Sequence, residues 1–175
     1  MPETLRTVRL SLRPWTESDL GLLRRLSDDL RVVRYVGDGR RWPEERAVEA
    51  SRLILEHWSE HGFGWRVMAL PDTGAEIGFA ALNHPGAETG LGASEFEIGW
   101  WLAPDFWRQG LASEAAAAVR DDAFGHLGAP GLVARLQPDN LASAGVAKRI
   151  GMVHERDIVG RWGDPVAMYR LSALA

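Results

Sequence analysis

The stretch Glu97-Ile98-Gly99-Trp100-Trp101-Leu102-Ala103-Pro104-Asp105-Phe106-Trp107-Arg108-Gln109-Gly110-Leu111-Ala112-Ser113-Glu114-Ala115 decides how the chain is read. Its first half is an apolar, aromatic run with the character of a strand, and Pro104 stops it because proline has no N–H to give to a ladder. Its second half opens an alanine-rich helix, from Leu111 to about Leu127, through a glycine and small residues. At such a junction the first backbone N–H groups have no helical partner. The helix dipole adds partial positive charge there, which makes the junction a site for an anion. Gly110 and Ala112 are small enough for a phosphate oxygen to approach the backbone, and Arg108 adds a charge-assisted donor. Taken alone, Gly110 serves a tight turn equally well. The stretch contains no G-x-G-x-x-G, and no G-K-[ST] follows its glycine, so neither nucleotide fingerprint applies.

Working outward, Thr7 to Arg13 alternates like a strand, with Val8, Leu10 and Leu12 on one face. Thr16 and Asp19 have the spacing of a capping box for a helix ending near Ser27. Gly37 and Gly39 mark a loop. Pro43 suits the first turn of a second helix, which Gly62 ends after His61. Phe63–Leu70 and Ala75–Asn83 read as a hairpin around Pro71-Asp72-Thr73-Gly74. His84–Gly92 is a loop, and Ser94–Leu102 is the strand already described. Beyond the central helix come a strand at Gly131–Gln137 and a short helix from Asn140 to Gly151. Strands at Met152–Val159 and Val166–Leu171 flank the turn Trp162-Gly163-Asp164-Pro165. This order predicts an α/β (α+β) fold: a mixed, mostly antiparallel sheet of about seven strands with about four helices on both faces.

The 175 residues carry 46% hydrophobic and 25% charged side chains, the balance of one globular domain spanning 1–175. Without cysteine, disulfides, thiolate metal sites and cysteine nucleophiles are excluded. The net charge of -4 argues against a nucleic-acid partner, which clustered Lys and Arg would hold. No apolar run approaches the roughly 18–20 residues that span a bilayer, and MPETLRTVRL lacks a secretion signal, so a cytoplasmic protein is expected. Most of the eight Trp are expected to fill the core. His57 and His61 lie four apart on a helix, but no H-E-x-x-H follows; they read as surface residues, with no metal.

The run from Glu97 to Pro104, followed by Trp107 to Ala115, resembles the coenzyme-A-binding motif of the GNAT superfamily of N-acetyltransferases. It is most similar to the branch of ribosomal-protein N-terminal acetyltransferases. Pro138-Asp139-Asn140-Leu141-Ala142-Ser143, Val146 and Ile150-Gly151-Met152 resemble that branch's next helix. The resemblance is strong over 95–152 and weak before residue 60. Two positions depart from the pattern: Trp107 stands where Gln or Arg usually opens the loop, and Ala147 where many members carry a general-acid Tyr.

The resemblance implies an acetyl-coenzyme A-dependent N-acetyltransferase that moves acetyl from the thioester to a primary amine, by direct attack in a ternary complex. The acceptor would be a small molecule or a protein N-terminus, with no nucleic acid or membrane involved and a homodimer among the assemblies it allows. It implies cofactor contacts at Trp107, Arg108, Gln109, Gly110, Leu111, Ala112 and Ser113 for the diphosphate, and at Trp101, Leu102 and Ala103, where a backbone amide meets the thioester carbonyl. Asn140 would touch the pantetheine arm while capping its helix. Arg149 would meet the 3′-phosphate or simply face solvent. Glu97 is the candidate base, or a residue that only fixes the strand; Glu95 is a weaker alternative, and many members rely on water. Ser143 is the candidate acid, a binder of the cofactor sulfur, or cap support. Arg31, Arg34, Arg40 and Arg41 crowd a loop that walls the acceptor pocket in this family, and otherwise read as solvated. Two other readings stand beside this one: a non-catalytic acyl-coenzyme A sensor, and transfer of a larger acyl group such as succinyl.

Overall fold

A computed structural model describes residues 3–85, 92, 94–160 and 163–173. Residues 86–91 of the expected loop and Trp162 of the last turn lie outside the described residues. Eight strands form one sheet: β1 (Leu5–Arg6), β2 (Ser11–Pro14), β3 (Arg66–Ala69), β4 (Glu76–Asn83), β5 (Phe96–Leu102), β6 (Gly131–Leu136), β7 (Val153–Val159) and β8 (Pro165–Ser172). Their order is β1-β2-β3-β4-β5-β6-β8-β7. Every neighbouring pair is antiparallel except β5 and β6. The helices are α1 (Leu20–Ser27), α2 (Leu30–Val33), α3 (Glu44–His61), α4 (Leu111–Gly125) and α5 (Leu141–Arg149).

Two cores sit on opposite faces of the sheet. Leu111, Ala115, Ala116 and Val119 of α4 pack with Ala80, Leu82, Ile98 and Leu102. Ala115 and Ala116 are fully buried, so small side chains let this helix lie close to the strands. On the other face Leu22, Leu23 and Leu26 of α1 and Ile54 of α3 enclose Phe79. Burying such an aromatic ring stabilises by about 2–3 kcal/mol. Trp15, Trp65, Phe79 and Trp101 follow one another at ring separations of 4.5 to 6.1 Å, but among the described tryptophans Trp15 alone is buried; Trp65 and Trp101 line the edge of this core rather than fill it, contrary to expectation.

The expected boundaries of α1 and α3 hold for local reasons. The Asp19 carboxylate, only 1% exposed, accepts the Thr16 N–H at 2.7 Å and its hydroxyl at 2.9 Å. It also accepts two hydrogen bonds from Arg13, at 2.8 and 2.6 Å. Burial opposes ionisation of Asp19, but the bonds from Arg13 and Thr16 outweigh it and hold the carboxyl below its ordinary range. Pro43 precedes the first turn of α3, and Gly62 closes the helix at φ 74° in the left-handed region.

One expected strand is corrected. Thr7–Arg13 is not continuous, because residues 7–10 turn between β1 and β2. The Thr7 N–H donates to the Leu10 carbonyl at 2.9 Å, and Val8 is thrown outward, 96% exposed. Alternation held for Leu10 and Leu12, which are both buried, but not for Val8.

Candidate functional site

β5 and β6 run side by side only at their starts. Phe96 pairs with Leu132 and Glu97 with Val133, and no pairing follows. Along its other edge β5 stays zipped to β4 over six pairs, from Asn83↔Glu97 to Gly78↔Leu102. The sheet therefore forks beyond Glu97. α4 opens from the end of one prong and α5 from the end of the other, so both helix N-termini lie at the carboxyl ends of parallel strands, where α/β folds bind ligands.

The ladder decides which amides face the fork. Ala103 donates its N–H to the Ile77 carbonyl at 2.8 Å. In an antiparallel pair the direction alternates, so Trp101 also turns to β4 while Trp100 and Leu102 turn away from it. Of Trp101, Leu102 and Ala103, Leu102 alone directs its N–H to the opening. The Trp101 ring instead packs on Phe79 at 5.2 Å and on Trp42 at 5.2 Å. Gly78 is required where β4 meets the end of β5: a Cβ there would come 2.2 Å from the Trp101 carbonyl oxygen.

Past Leu102 the chain makes a short 3-10 turn, Pro104–Phe106, and enters the loop. The Trp107 indole N–H donates to the Leu102 carbonyl at 2.7 Å, bracing the loop against the strand end. Arg108 has φ 60° and Gly110 φ 79°, and Arg108 is the one non-glycine in that region among the described residues. A long side chain held there costs about 1 kcal/mol or more and persists only where the surrounding structure enforces it. The six N–H groups from Arg108 to Ser113 have no hydrogen-bond acceptor among the described residues; the first paired amide is Glu114, to the Gly110 carbonyl at 3.0 Å. Arg108, Gln109 and Gly110 are exposed. These bare amides form a donor set at the mouth of α4, where the helix dipole favours an anion, and they are the loop the sequence marked.

On the opposite prong Asn140 caps α5, accepting the Ser143 N–H at 3.1 Å. The Ser143 hydroxyl makes no hydrogen bond among the described residues. Ala147, one turn on, is fully buried. Arg149 is exposed and folds back toward Gly145.

Glu97 sits at the apex of the fork, four residues or about 13 Å up β5 from Trp101. Arg135 of β6 grips both its oxygens, Nε at 2.7 Å and Nη2 at 3.0 Å. Glu95 is held by Arg170 at 3.0 and 3.3 Å in a network with Glu155 of β7. That network lies at the closed end of the fork.

The arginine-rich loop is locally compensated. Arg31 pairs with Asp29 at 2.6 Å, Arg41 with Asp28 at 3.5 Å and Arg40 with Asp38 at 3.9 Å. The Arg34 guanidinium lies 5.2 Å from the Tyr35 ring centre. The Gln137 amide donates to the Gly37 carbonyl at 3.1 Å, fastening this loop to the end of β6. Arg46 stacks over Trp42 at 4.2 Å, and the Trp42 indole N–H has no acceptor among the described residues. None of Trp42, Arg46, Arg135 and Gln137 was marked by sequence. Arg135 carried one usable sign, a cation on the same strand face as Val133.

A forked sheet with helix N-termini on both prongs and unpaired amides at one of them defines a cleft for an anionic ligand, and the family match makes the protein an acyl-group transferase. The chain belongs to the GNAT acetyltransferase family: residues 9–153 match its acetyltransferase (GNAT) domain. It is similar to an acetyltransferase of Agrobacterium tumefaciens, with 32% identity, 97% of this chain and 94% of that one covered, and a TM-score of 0.82. It is 28% identical over 173 residues to the FsC-acetyl coenzyme A-N(2)-transacetylase of Aspergillus fumigatus, covering 93% of this chain and 70% of that protein. It shares the fold of RimL, a ribosomal L7/L12 alpha-N-protein acetyltransferase solved with coenzyme A: TM-score 0.79, 18% identity, 98% of each chain covered.

Proposed function

We propose that this chain is an acetyl-coenzyme A-dependent N-acetyltransferase whose acceptor is a primary amine of a small molecule or a protein N-terminus. The observation that carries the reading is the run of six unpaired amides, Arg108 to Ser113, beside the opened edge of β5. Acetyl-coenzyme A, when bound, supplies an acyl group activated as a thioester. The loop amides and the α4 dipole hold its diphosphate. The Trp100 and Leu102 amides receive the pantetheine arm as an added strand would be received. A donor on this edge also stabilises negative charge that develops on the acyl oxygen.

The amine attacks only when neutral, so a proton has to leave it. Glu97 is the carboxylate at the apex; Arg135 takes one lone pair of each oxygen, and a second lone pair on either can take the proton, or else water carries it out. The Ser143 hydroxyl, without a hydrogen bond among the described residues and mounted at the start of α5, is the group offered to the departing sulfur.

A sensor that binds acyl-coenzyme A without turnover draws on Ala147, a buried methyl where the resemblance places an acid. One assay separates the readings: thiol release from acetyl-coenzyme A against a panel of amines. Amine-dependent release is expected. Tight binding with no release under any amine gives the sensor, and preference for succinyl-coenzyme A in competition gives the larger donor.

A further inference from the structure

The turn between β1 and β2 reaches across to the cofactor loop. Arg9 donates its backbone N–H to Glu114 Oε1 at 2.8 Å and its Nε to Oε2 at 2.7 Å. Its Nη2 lies 2.7 Å from the same Oε2, and the Thr7 hydroxyl completes the set at 2.6 Å from Oε1. From the same guanidinium, Nη1 donates to the Gln109 carbonyl at 2.8 Å. Burial opposes ionisation of Glu114, but the bonds from Thr7 and Arg9 outweigh it and keep the carboxyl below its ordinary range.

We propose that Arg9 is a positioning residue for diphosphate binding: it aims the loop amides and cancels the one carboxylate in the first turn of α4. The inference rests on the acetyl-coenzyme A reading above. The aiming follows from peptide geometry. In a planar trans peptide the C=O and N–H point in opposite directions. With the Gln109 carbonyl drawn to Arg9, the Gly110 N–H points away from it, outward. The same grip supports the backbone at Arg108, whose φ of 60° needs tertiary contacts to persist.

The cancellation follows from charge. Glu114 is the only acidic residue in the first turn of α4, and its side chain is 18% exposed. Unpaired, it would oppose an anion at the helix mouth; paired on both oxygens, it leaves the dipole and amides to act. Thr7 and Arg9 are also what turns the chain away from the strand its alternation suggests.

Titration of coenzyme A by calorimetry tests this. Arg9→Gln is expected to weaken binding roughly tenfold, the scale of a lost charge-assisted bond. Arg9→Lys keeps the charge and is expected to recover part of that loss, which a purely structural role would not produce. Arg9→Gln with Glu114→Gln is expected to bind more tightly than Arg9→Gln alone, because the carboxylate that lost its guanidinium is gone. Affinity within twofold of wild type in Arg9→Gln overturns the proposal. Should Arg9→Gln not fold, the double variant carries the test: without the grip on the Gln109 carbonyl it is expected to bind several-fold more weakly than wild type, and wild-type affinity there overturns the proposal. Failure of the wild-type chain to bind coenzyme A at all removes the cofactor reading itself, a different result.

Discussion

Arg135 holds Glu97 by both oxygens, 2.7 and 3.0 Å away, two residues beyond the last β5–β6 pair. The ion pair replaces the ladder as the link between the prongs at the point where they part. Glu97 is therefore a brace before it is anything else. With side chains 17% and 30% exposed, the pair is sheltered enough to contribute, though far less than a fully buried one.

Glu97→Gln separates brace from base. The change leaves a charged guanidinium facing an amide, and about 1–2 kcal/mol of stability is expected to go. If the carboxylate takes the proton, turnover falls and the acid limb of the rate profile flattens. Arg135→Gln loses similar stability yet keeps the limb. A wild-type profile in Glu97→Gln leaves water as the proton carrier and Glu97 as a brace only.

What could be read from sequence, and what could not, divides by range. The capping box at Thr16 and Asp19, the Asn140 cap, the stop at Gly62 and the loop before Leu111 each involve residues within a few positions, so local pattern carries them. Arg9 and Glu114 lie 105 positions apart and Glu97 and Arg135 38 apart, and no periodicity relates them. The misread strand at Thr7–Arg13 is the same failure seen from the other side: alternation was present, and a distant carboxylate overrode it. Even the amides at Trp101–Ala103 were placed by family likeness, while the direction each takes is set by pairing with β4.

His57 predicts how stability depends on pH. Its Nε2 accepts the His84 N–H at 3.0 Å, and its Nδ1 lies 2.9 Å from the Phe63 carbonyl, which fixes a neutral ring with the proton on Nδ1. It is half-buried rather than a free surface residue. Burial, helped by the neighbouring His61 and His84, pushes its pKa below 6.5; the hydrogen bond to the Phe63 carbonyl and, less, Glu60 oppose the shift without cancelling it. The unfolded chain thus binds the proton more readily than the folded one. Stability is full above the ordinary histidine value and is lost as pH falls through it toward the depressed folded value. Urea midpoints at pH 7.5, 6.5 and 5.5 are expected to fall in the wild type and to stay flatter in His57→Gln. Equal slopes would assign the dependence to other groups.

Gly78→Ala tests the seat of β5. The new Cβ would lie 2.2 Å from the Trp101 oxygen and 3.0 Å from the Leu102 Cα, both backbone atoms with little freedom to move. A loss of about 2–3 kcal/mol is expected in chemical denaturation. Because the displaced strand end carries the Leu102 amide, affinity for coenzyme A falls as well. Loss of stability with affinity intact would place the pantetheine arm elsewhere.

Gly110→Trp addresses the loop directly. A Cβ at this position meets only the Arg9 Nη2, at 3.5 Å, so an added side chain projects into space above the amides and not into the core. The φ of 79° makes any L side chain there strained, by about 1–2 kcal/mol, which a domain of this size tolerates. The variant is expected to fold, with a thermal midpoint lowered by a few degrees, and to bind no coenzyme A because the indole covers the amides a diphosphate would use. Gly110→Ala carries the same backbone strain without the cover and keeps most of the affinity. If both variants bind as the wild type does, the amides from Arg108 to Ser113 hold no diphosphate, however open they lie.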